Sequence, residues 1–180
     1  MKILAFTGMP CSGKTEAVKV AKEMGIPVIR MGDMVWEEVK NQGLPLDNKN
    51  VGNVADQMRN EHGMDIWARR ALAKIKILDE TDIIVIDGIR NVEEIDTFKK
   101  ELGKEFIVIV ITASDETRRR RVLNRGRQDD STNIEDLEER DKRELRWGLG
   151  AVIAAADIVI SNEGSIDEFR DKIRKTLDEI

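Results

Sequence analysis

The sequence feature that most constrains the fold is the segment from Gly8 to Thr15, which has the letters GMPCSGKT. It follows the apolar run 3–7 and opens a helical pattern over residues 13–24. Glycines let successive backbone N–H groups turn toward one point, and the helix that follows adds its positive N-terminal end. The spacing G-x-x-x-x-G-K-[ST] therefore predicts a phosphate-binding loop between a strand and a helix.

This loop predicts a set of nucleotide and metal ligands. Lys14 can reach the β- and γ-phosphates of ATP, and the Thr15 hydroxyl can bind Mg²⁺. Asp87 ends a later apolar run, where a carboxylate would hold the hydration shell of that ion; its alternative role is to cap the next helix. We expect ATP and Mg²⁺ as cofactors. The predicted nucleotide-binding residues of the loop are Gly8, Met9, Pro10, Cys11, Ser12, Gly13, Lys14 and Thr15.

Short apolar runs alternate with amphipathic stretches along the whole chain. The predicted strands cover residues 3–7, 27–29, 82–87, 106–111 and 158–160. Strands that are apolar throughout are typical of a parallel sheet that helices cover on both faces. Short connections and right-handed crossovers then favour a doubly wound, five-stranded α/β fold of the P-loop NTPase class.

The 180 residues are enough for a single domain with a full core. Two polar helical stretches are too long for plain crossovers between strands, so we expect inserts that close over a ligand. These are an acceptor-binding insert at about 33–80 and a lid at about 114–147. Helices are predicted at 33–41, 64–78, 92–102, 115–125, 134–155 and 166–177, and residues 48–62 are expected to form a polar connecting segment.

The charge balance limits the classes of partner. A net charge of −5 argues against a nucleic-acid-binding protein, since such proteins usually carry a basic balance. No apolar run approaches the ~20 residues that a membrane-spanning helix needs, and the first apolar stretch is too short for a signal peptide. We therefore expect a cytoplasmic protein that acts on small-molecule nucleotides without a membrane partner. The sequence leaves the oligomeric state open.

Arginines cluster in the predicted lid, where six of the ten residues from 118 to 127 are Arg. Helical spacing places Arg118, Arg121 and Arg125 on one face. A solvated charged surface is the alternative, and for Arg118 and its neighbour both interpretations stay open. For Arg121, Arg125 and Arg127 we predict a catalytic role, because phosphoryl transfer accumulates negative charge that planar, bidentate arginines stabilise.

The acceptor insert offers further cations and one carboxylate. Asp33 is a candidate general base and equally a candidate helix N-cap. Arg59 and Arg90 are candidate ligands for a phosphate on the acceptor, and Arg69 or Arg70 could take the place of Arg59. Such a set of cations predicts an acceptor that already carries a phosphate.

These segments together resemble the adenylate-kinase-like branch of P-loop kinases, with dephospho-CoA kinase as a close relative. Gly32-Asp33 resembles the Gly-Asp that opens the acceptor-binding helices of adenylate kinase, and it lies near the catalytic-base Asp of dephospho-CoA kinase. Asp87-Gly88-Ile89-Arg90 resembles the Asp-Gly-x-Pro-Arg of nucleoside monophosphate kinases. The resemblance is closest to an archaeal group of adenylate-kinase-related proteins.

The resemblance extends to the second half of the chain. Residues 114–130 resemble the lid of short-type adenylate kinases, and Arg140 and Arg143 fall where that family places further arginines of the lid helix. Residues 156–165 resemble the closing strand and loop near the adenine, which implies that Asn162 binds the nucleotide. The resemblance thus covers nearly the whole chain.

The acceptor segment departs from the adenylate kinase pattern. Trp36 stands where adenylate kinase carries an Arg, and both the Pro of Asp-Gly-x-Pro-Arg and the Gln that contacts the AMP base are missing. We expect weaker base selectivity than adenylate kinase shows, because fewer hydrogen bonds can reject analogues. Trp36 and Trp67 could stack on a base or serve as core aromatics of the insert.

The resemblance implies a phosphotransferase of the nucleoside monophosphate kinase type, which moves the γ-phosphate of Mg-ATP to a small phosphorylated acceptor. The alternative within the enzyme class is a dephospho-CoA-type kinase. The rival class is a regulatory ATPase or nucleotide-dependent binding module. Steady ATP hydrolysis without a phosphorylated product would indicate that rival class.

Overall fold

The computed structural model describes residues 1–78, 81–125 and 134–180. Its centre is a five-stranded sheet in the order β2-β3-β1-β4-β5, in which each strand pair is parallel. The predicted doubly wound α/β class is confirmed. The strands are β1 (Lys2–Thr7), β2 (Val28–Arg30), β3 (Ile83–Asp87), β4 (Phe106–Thr112) and β5 (Ile158–Ser161).

Helices connect these strands and cover both faces of the sheet. Among the described residues, no helix is both long and apolar enough to cross a membrane. A 3₁₀ turn, Gly103–Glu105, precedes β4. The helices are α1 (Lys14–Glu23), α2 (Met31–Asn41), α3 (Asn48–His62), α4 (Ile66–Ile75), α5 (Val92–Leu102), α6 (Asp115–Arg125), α7 (Ile134–Trp147), α8 (Leu149–Ala154) and α9 (Ile166–Glu179).

The two faces of the sheet bury alternate residues of each strand, as the pleat of a strand requires. In β1, Leu4 and Phe6 face a core that includes residues of α1 and α9. Ile3 and Ala5 face a second core, which includes residues of α2, α3, α4, α5 and α8. The phosphate loop therefore leaves the centre of a sheet that is packed on both sides.

The carboxyl edge of the sheet brings three segments of the chain together. Phe6 of β1 is in register with Asp87 of β3, and Asp87 is in register with Arg30 of β2. The phosphate loop continues directly from β1, so Asp87 and Arg30 lie on neighbouring strands beside it. This edge is where doubly wound sheets bind their ligands.

Residues 48–62 form helix α3, so the prediction of a polar connecting segment was wrong. Asp47 caps the helix by accepting a hydrogen bond from the backbone N–H of Asn50 at 2.7 Å. The buried face includes Gly52, Ala55 and Met58, which are spaced by three residues. Because two of these residues are small, the apolar periodicity of the helix is weak in the sequence.

Helix α4, Ile66–Ile75, is shorter than the predicted helix 64–78, and two further boundaries differ from the predictions at points that bear on the site. The helix expected over 134–155 is divided into α7 and α8 at Gly148, whose φ of 109° is unfavourable for other residues. Helix α2 begins at Met31, directly after β2, so Asp33 lies in its first turn and does not cap it.

Helices α3 and α7 meet through aromatic and charged side chains, a contact that we call the α3–α7 contact. The indole N–H of Trp147 donates to Asp56 Oδ1, and Arg146 Nη2 donates to Asp56 Oδ2 at 2.8 Å. The guanidinium carbons of Arg59 and Arg143 lie 4.3 and 5.5 Å from the centre of the Trp147 ring. The two predicted inserts therefore touch each other; their roles as acceptor site and lid stay predictions.

Candidate active site

The phosphate loop packs so tightly that its two glycines admit no side chain. Gly8 has φ 142°, and a Cβ there would lie 2.2 Å from the carbonyl oxygen of Ile111. Gly13 has φ 117°, and a Cβ there would lie 2.1 Å from Asn162 Nδ2. Cys11 also has a positive φ, 62°, which is uncommon for a residue with a side chain. The loop conformation is thus imposed by the backbone and its closest neighbours.

Lys14 lies over the loop that carries it. Its Nζ donates to the carbonyl oxygens of Gly8 at 2.6 Å and Met9 at 2.9 Å. Burial lowers the pKa of Lys14 to about 8, and the charge of Arg90 acts in the same direction, whereas Glu144 and Asp87 raise it. A desolvated ammonium held only by carbonyl oxygens is well suited to exchange them for phosphate oxygens.

Asp87 and Thr15 are the predicted metal ligands. Asp87 Oδ1 is buried and has no hydrogen-bond partner among the described residues, while Oδ2 lies 3.6 Å from Arg30 Nε. Thr15 is exposed in the first turn of α1. Within the described ranges, no group of three or more His, Cys, Asp or Glu residues could hold a metal by itself. This donor set fits Mg²⁺, which keeps several waters and binds through one or two carboxylates plus substrate phosphates.

Asn162 and Arg121 donate hydrogen bonds to backbone carbonyl oxygens of the phosphate loop. Asn162 is buried, and its Nδ2 donates to the carbonyl oxygen of Ser12 at 2.8 Å. Arg121 Nη1 donates to the carbonyl oxygens of Cys11 at 3.2 Å and Ser12 at 3.1 Å, and its Nη2 donates to that of Asn162 at 2.7 Å. Both residues contact the loop, as expected for nucleotide-site residues, and their functional roles stay predictions.

The structure separates the arginines of α6 into different roles. Arg118 is buried; its Nη1 donates to the carbonyl oxygen of Pro10 at 3.1 Å, and both terminal nitrogens donate to Asp141 of α7. Arg119 is exposed and pairs with Glu138 at 2.8 Å. The solvated-surface alternative thus holds for Arg119, whereas Arg118 joins the phosphate loop to α7. Arg127 and the side chain of Arg125 lie outside the described part of the structure.

Glu144 of α7 is a site residue that the sequence analysis missed. It is only 3% exposed, and its Oε2 lies 2.8 Å from Arg90 Nε, a close ion pair whose angle is not that of a hydrogen bond. Burial acts to raise the pKa of Glu144, but Arg90, Lys14 and Arg140 together hold it below its ordinary value. Nothing marks this residue in the sequence, because it belongs to an amphipathic run of mixed charges.

Three arginines that were candidate ligands in the acceptor insert are bonded to other residues of the insert or to residues that pack against it. Arg59 is 5% exposed, donates to the fully buried Glu94 at 3.2 Å and lies against Trp147. Arg70 Nη1 donates to Glu38 at 3.0 Å, and Arg69 donates to the carbonyl oxygen of His62. Only Nη2 of the Arg59 guanidinium is paired, and Nε and Nη1 have no hydrogen-bond partner among the described residues. Because the group is buried against Glu94 and Trp147, it is poorly placed to reach an acceptor, so we assign Arg59 a structural role.

Arg30 is the second residue that the sequence analysis missed. It ends β2, and its guanidinium lies 3.4 Å from Asp33 Oδ1 and 3.6 Å from Asp87 Oδ2. Its side chain is 40% exposed, so a ligand can reach it. Arg30 and Arg90 are therefore two cations at the carboxyl edge on the side of the predicted acceptor insert, and the carboxylate of Asp33 lies beside Arg30. The signal that could have found Arg30 is its position at the end of a strand that pairs with β3.

The same framework occurs in known proteins. Residues 7–138 match the family described as an AAA domain. The chain is 48% identical over 177 residues to the UPF0200 protein of Methanosarcina barkeri (strain Fusaro / DSM 804), a match that covers 98% of this chain and 95% of that protein. The chain belongs to the UPF0200 family.

A second relative is longer than this chain. The UPF0200/UPF0201 protein of Archaeoglobus fulgidus is 46% identical over 178 residues, which cover 98% of this chain but 55% of the relative. The chain thus spans about half the length of that protein.

Two solved structures share the fold of this UPF0200 protein at low identity. TT1252 from Thermus thermophilus aligns with a TM-score of 0.68 and 18% identity, over 99% of this chain and 97% of that one. Shikimate kinase from Aquifex aeolicus aligns with a TM-score of 0.50 and 16% identity, over 98% and 96% of the two chains. At these identities, the similarity shows the fold alone, which is the α/β P-loop NTPase fold.

Proposed function

We propose that this UPF0200 protein is a Mg-ATP-dependent phosphotransferase of the nucleoside monophosphate kinase type, acting on a small phosphorylated acceptor. The observation that carries the proposal is that the phosphate loop with Lys14, Asp87 at the end of β3, and Arg90 three residues later lie at one edge of the sheet, because β1 and β3 are parallel neighbours. Arg30 flanks Asp87 at 3.6 Å. Cations on both sides of one carboxylate suit a reaction between two phosphate groups.

On the nucleotide side, the loop Gly8–Thr15 would hold the phosphates of ATP with its backbone N–H groups. Lys14 would leave the carbonyl oxygens of Gly8 and Met9 and bind the β- and γ-phosphates. Arg121 and Asn162 would hold the loop in its binding conformation. Arg125 and Arg127 remain our predicted stabilisers of the charge that develops during transfer.

Mg²⁺ would be held by the Thr15 hydroxyl and, through its hydration shell, by Asp87. The buried Oδ1 of Asp87, which has no hydrogen-bond partner in the part of the chain that the structure describes, supports this assignment. The ion would neutralise charge on the β- and γ-phosphates and orient them.

On the acceptor side, Arg30 and Arg90 would bind the acceptor's phosphate. An acceptor oxygen would form a bond to the γ-phosphorus while the bond to the bridging oxygen of ADP breaks. Asp33, within 3.4 Å of Arg30, would orient an acceptor hydroxyl and take its proton where the nucleophile carries one. This arrangement disfavours neutral sugars and alcohols as acceptors.

The test is an acceptor panel with Mg-ATP, in which products are identified by mass. The panel contains AMP, CMP, UMP, GMP, their deoxy forms and dephospho-CoA. We expect slow phosphorylation of AMP and other monophosphates, and we expect Asp33→Asn to reduce transfer while ATP still binds. Phosphorylation of dephospho-CoA alone would favour the dephospho-CoA-type kinase. Hydrolysis of ATP at an undiminished rate, with no phosphorylated acceptor, would replace the kinase proposal with a regulatory ATPase.

A further inference from the structure

Trp36 differs from the other two tryptophans of the chain in being open to solvent. Its exposed fraction is 43%, whereas Trp67 is 1% exposed and packs in the core. Trp147 is half-buried in the α3–α7 contact, against the guanidinium of Arg59 at 4.3 Å. The sequence analysis left open whether Trp36 and Trp67 serve as core or as stacking surfaces. Burial assigns Trp67 to the core and leaves the ring of Trp36 accessible.

The exposed ring lies beside residues at the carboxyl edge of the sheet. Asp87 is in register with Phe6 of β1, two residues before the phosphate loop, and Arg30 Nε lies 3.6 Å from Asp87 Oδ2. The guanidinium carbon of Arg30 lies over the Trp36 ring, 5.7 Å from its centre, in a cation–π contact, so a ligand ring would stack on the opposite face. Trp36 also follows Asp33 by three residues in α2, so the two side chains share a helix face. An aromatic surface, a cation and a carboxylate therefore adjoin the proposed transfer edge.

The guanidinium of Arg30 is also available to a ligand. Its ion pairs with Asp33 and Asp87 are 3.4 and 3.6 Å long, beyond the 2.7–3.2 Å range usual for N–H···O hydrogen bonds. A phosphate could accept two hydrogen bonds from such a planar group without displacing an established bond.

We infer that Trp36 is the stacking surface for a planar aromatic ring of the acceptor, with Arg30 beside it as ligand of the acceptor's phosphate. The inference rests on the proposed phosphotransferase function and assigns recognition of the acceptor's aromatic ring to Trp36, so that a sugar phosphate without such a ring is a poor acceptor. Stacking on aromatic side chains tolerates every base, because each base has a π-face. The site selects for a ring and discriminates weakly among bases.

The test compares the wild type with Trp36→Leu and Trp36→Phe, using AMP, CMP and ribose 5-phosphate as acceptors. Trp36→Leu should raise the KM for AMP and CMP roughly 10- to 100-fold, and Trp36→Phe should restore most of the loss. The KM for ATP should stay unchanged. Val159→Ala is the matched control, since Val159 is 64% exposed on β5, at the other edge of the sheet.

Binding measurements separate failure of this inference from failure of the proposed function. AMP should quench tryptophan fluorescence in the wild type, ribose 5-phosphate should not, and the quenching should disappear in Trp36→Phe. If AMP quenches while no acceptor is ever phosphorylated, the stacking site stands and the phosphotransferase proposal fails. If AMP is phosphorylated but Trp36→Leu leaves its KM unchanged, or ribose 5-phosphate serves as well as AMP, the inference is overturned.

Discussion

Different kinds of groups form the phosphate loop and the proposed acceptor side, although both lie at the same edge of the sheet. The loop is made of backbone, and its conformation depends on Gly8 and Gly13, where a Cβ would collide with Ile111 and Asn162. The acceptor side is made of side chains from separate elements, such as Arg30 at the end of β2 and Arg90 after β3. A backbone site has a sequence motif, whereas a side-chain site exists only once the elements are packed.

We predict the greatest loss of turnover for a substitution in the phosphate loop. Lys14→Met should leave the fold intact, because the ammonium is already buried at a desolvation cost, and should abolish phosphoryl transfer. We expect turnover to fall by about 10³-fold or more, since the γ-phosphate loses its direct cation. Turnover and thermal unfolding are measured on Lys14→Met and on Lys19→Met, an exposed lysine of the same helix. Near-wild-type turnover in Lys14→Met would contradict the active site proposed here.

The second prediction contrasts two arginines of the acceptor side. Arg59→Met removes the ion-pair partner of the buried Glu94 carboxylate, which among the described residues keeps only the hydrogen bond from the backbone N–H of Arg90, and should lower the free energy of unfolding by about 3–5 kcal/mol. Arg30→Gln, at a half-exposed position, should change it by only about 0.5 kcal/mol. The KM for the acceptor should rise in Arg30→Gln and not in Arg59→Met. Urea unfolding and acceptor kinetics on both variants make the comparison.

A double variant checks the reason given for the instability of Arg59→Met. Adding Glu94→Gln removes the buried charge, so the double variant should recover part of the lost stability. A double variant that is less stable than Arg59→Met would mean that Arg59 acts mainly through its packing against Trp147.

The third prediction uses the pKa of Lys14, which burial lowers to about 8. Bound phosphate favours the charged ammonium, while the free protein loses this proton as pH rises through about 8. The affinity for ATP should therefore be flat below that pH and fall by up to about tenfold per pH unit above it. Calorimetric titrations between pH 7.5 and 9.5 measure the slope. Lys14→Arg should remove the pH dependence of ATP affinity. An unchanged slope in that variant would show that a group other than Lys14 titrates.

The smallest effect concerns Glu144, whose carboxylate lies among the cations that a phosphate would use. Glu144→Gln removes a buried anion that competes with phosphate for Arg90 and Lys14, so pyrophosphate should bind several-fold more tightly. Glu139→Gln on the same helix is the control. Weaker pyrophosphate binding in Glu144→Gln would show instead that the carboxylate is needed to orient Arg90.

The parts of the site that could be predicted from sequence are those set by local geometry. The loop and the strand-end position of Asp87 follow from spacing and from the edge at which parallel strands end. Arg59 was proposed because it is a cation in a polar segment, but the burial of that face of α3 becomes visible only when the helix packs. Glu144 and Arg30 were missed for the same reason. Their importance comes from partners distant in the chain.

The α3–α7 contact has a thermodynamic consequence for the two proposed ligands, ATP and the acceptor. Asp56 and Arg59 of the predicted acceptor insert are bonded to or stacked on Trp147 of the helix that carries Glu144. A ligand that moves α3 relative to α7 must strain or break this contact. The binding free energies of ATP and of the acceptor therefore contain a shared term. By reciprocity, ATP should alter the dissociation constant of the acceptor by the same factor by which the acceptor alters that of ATP. Trp147→Leu should bring that factor close to one.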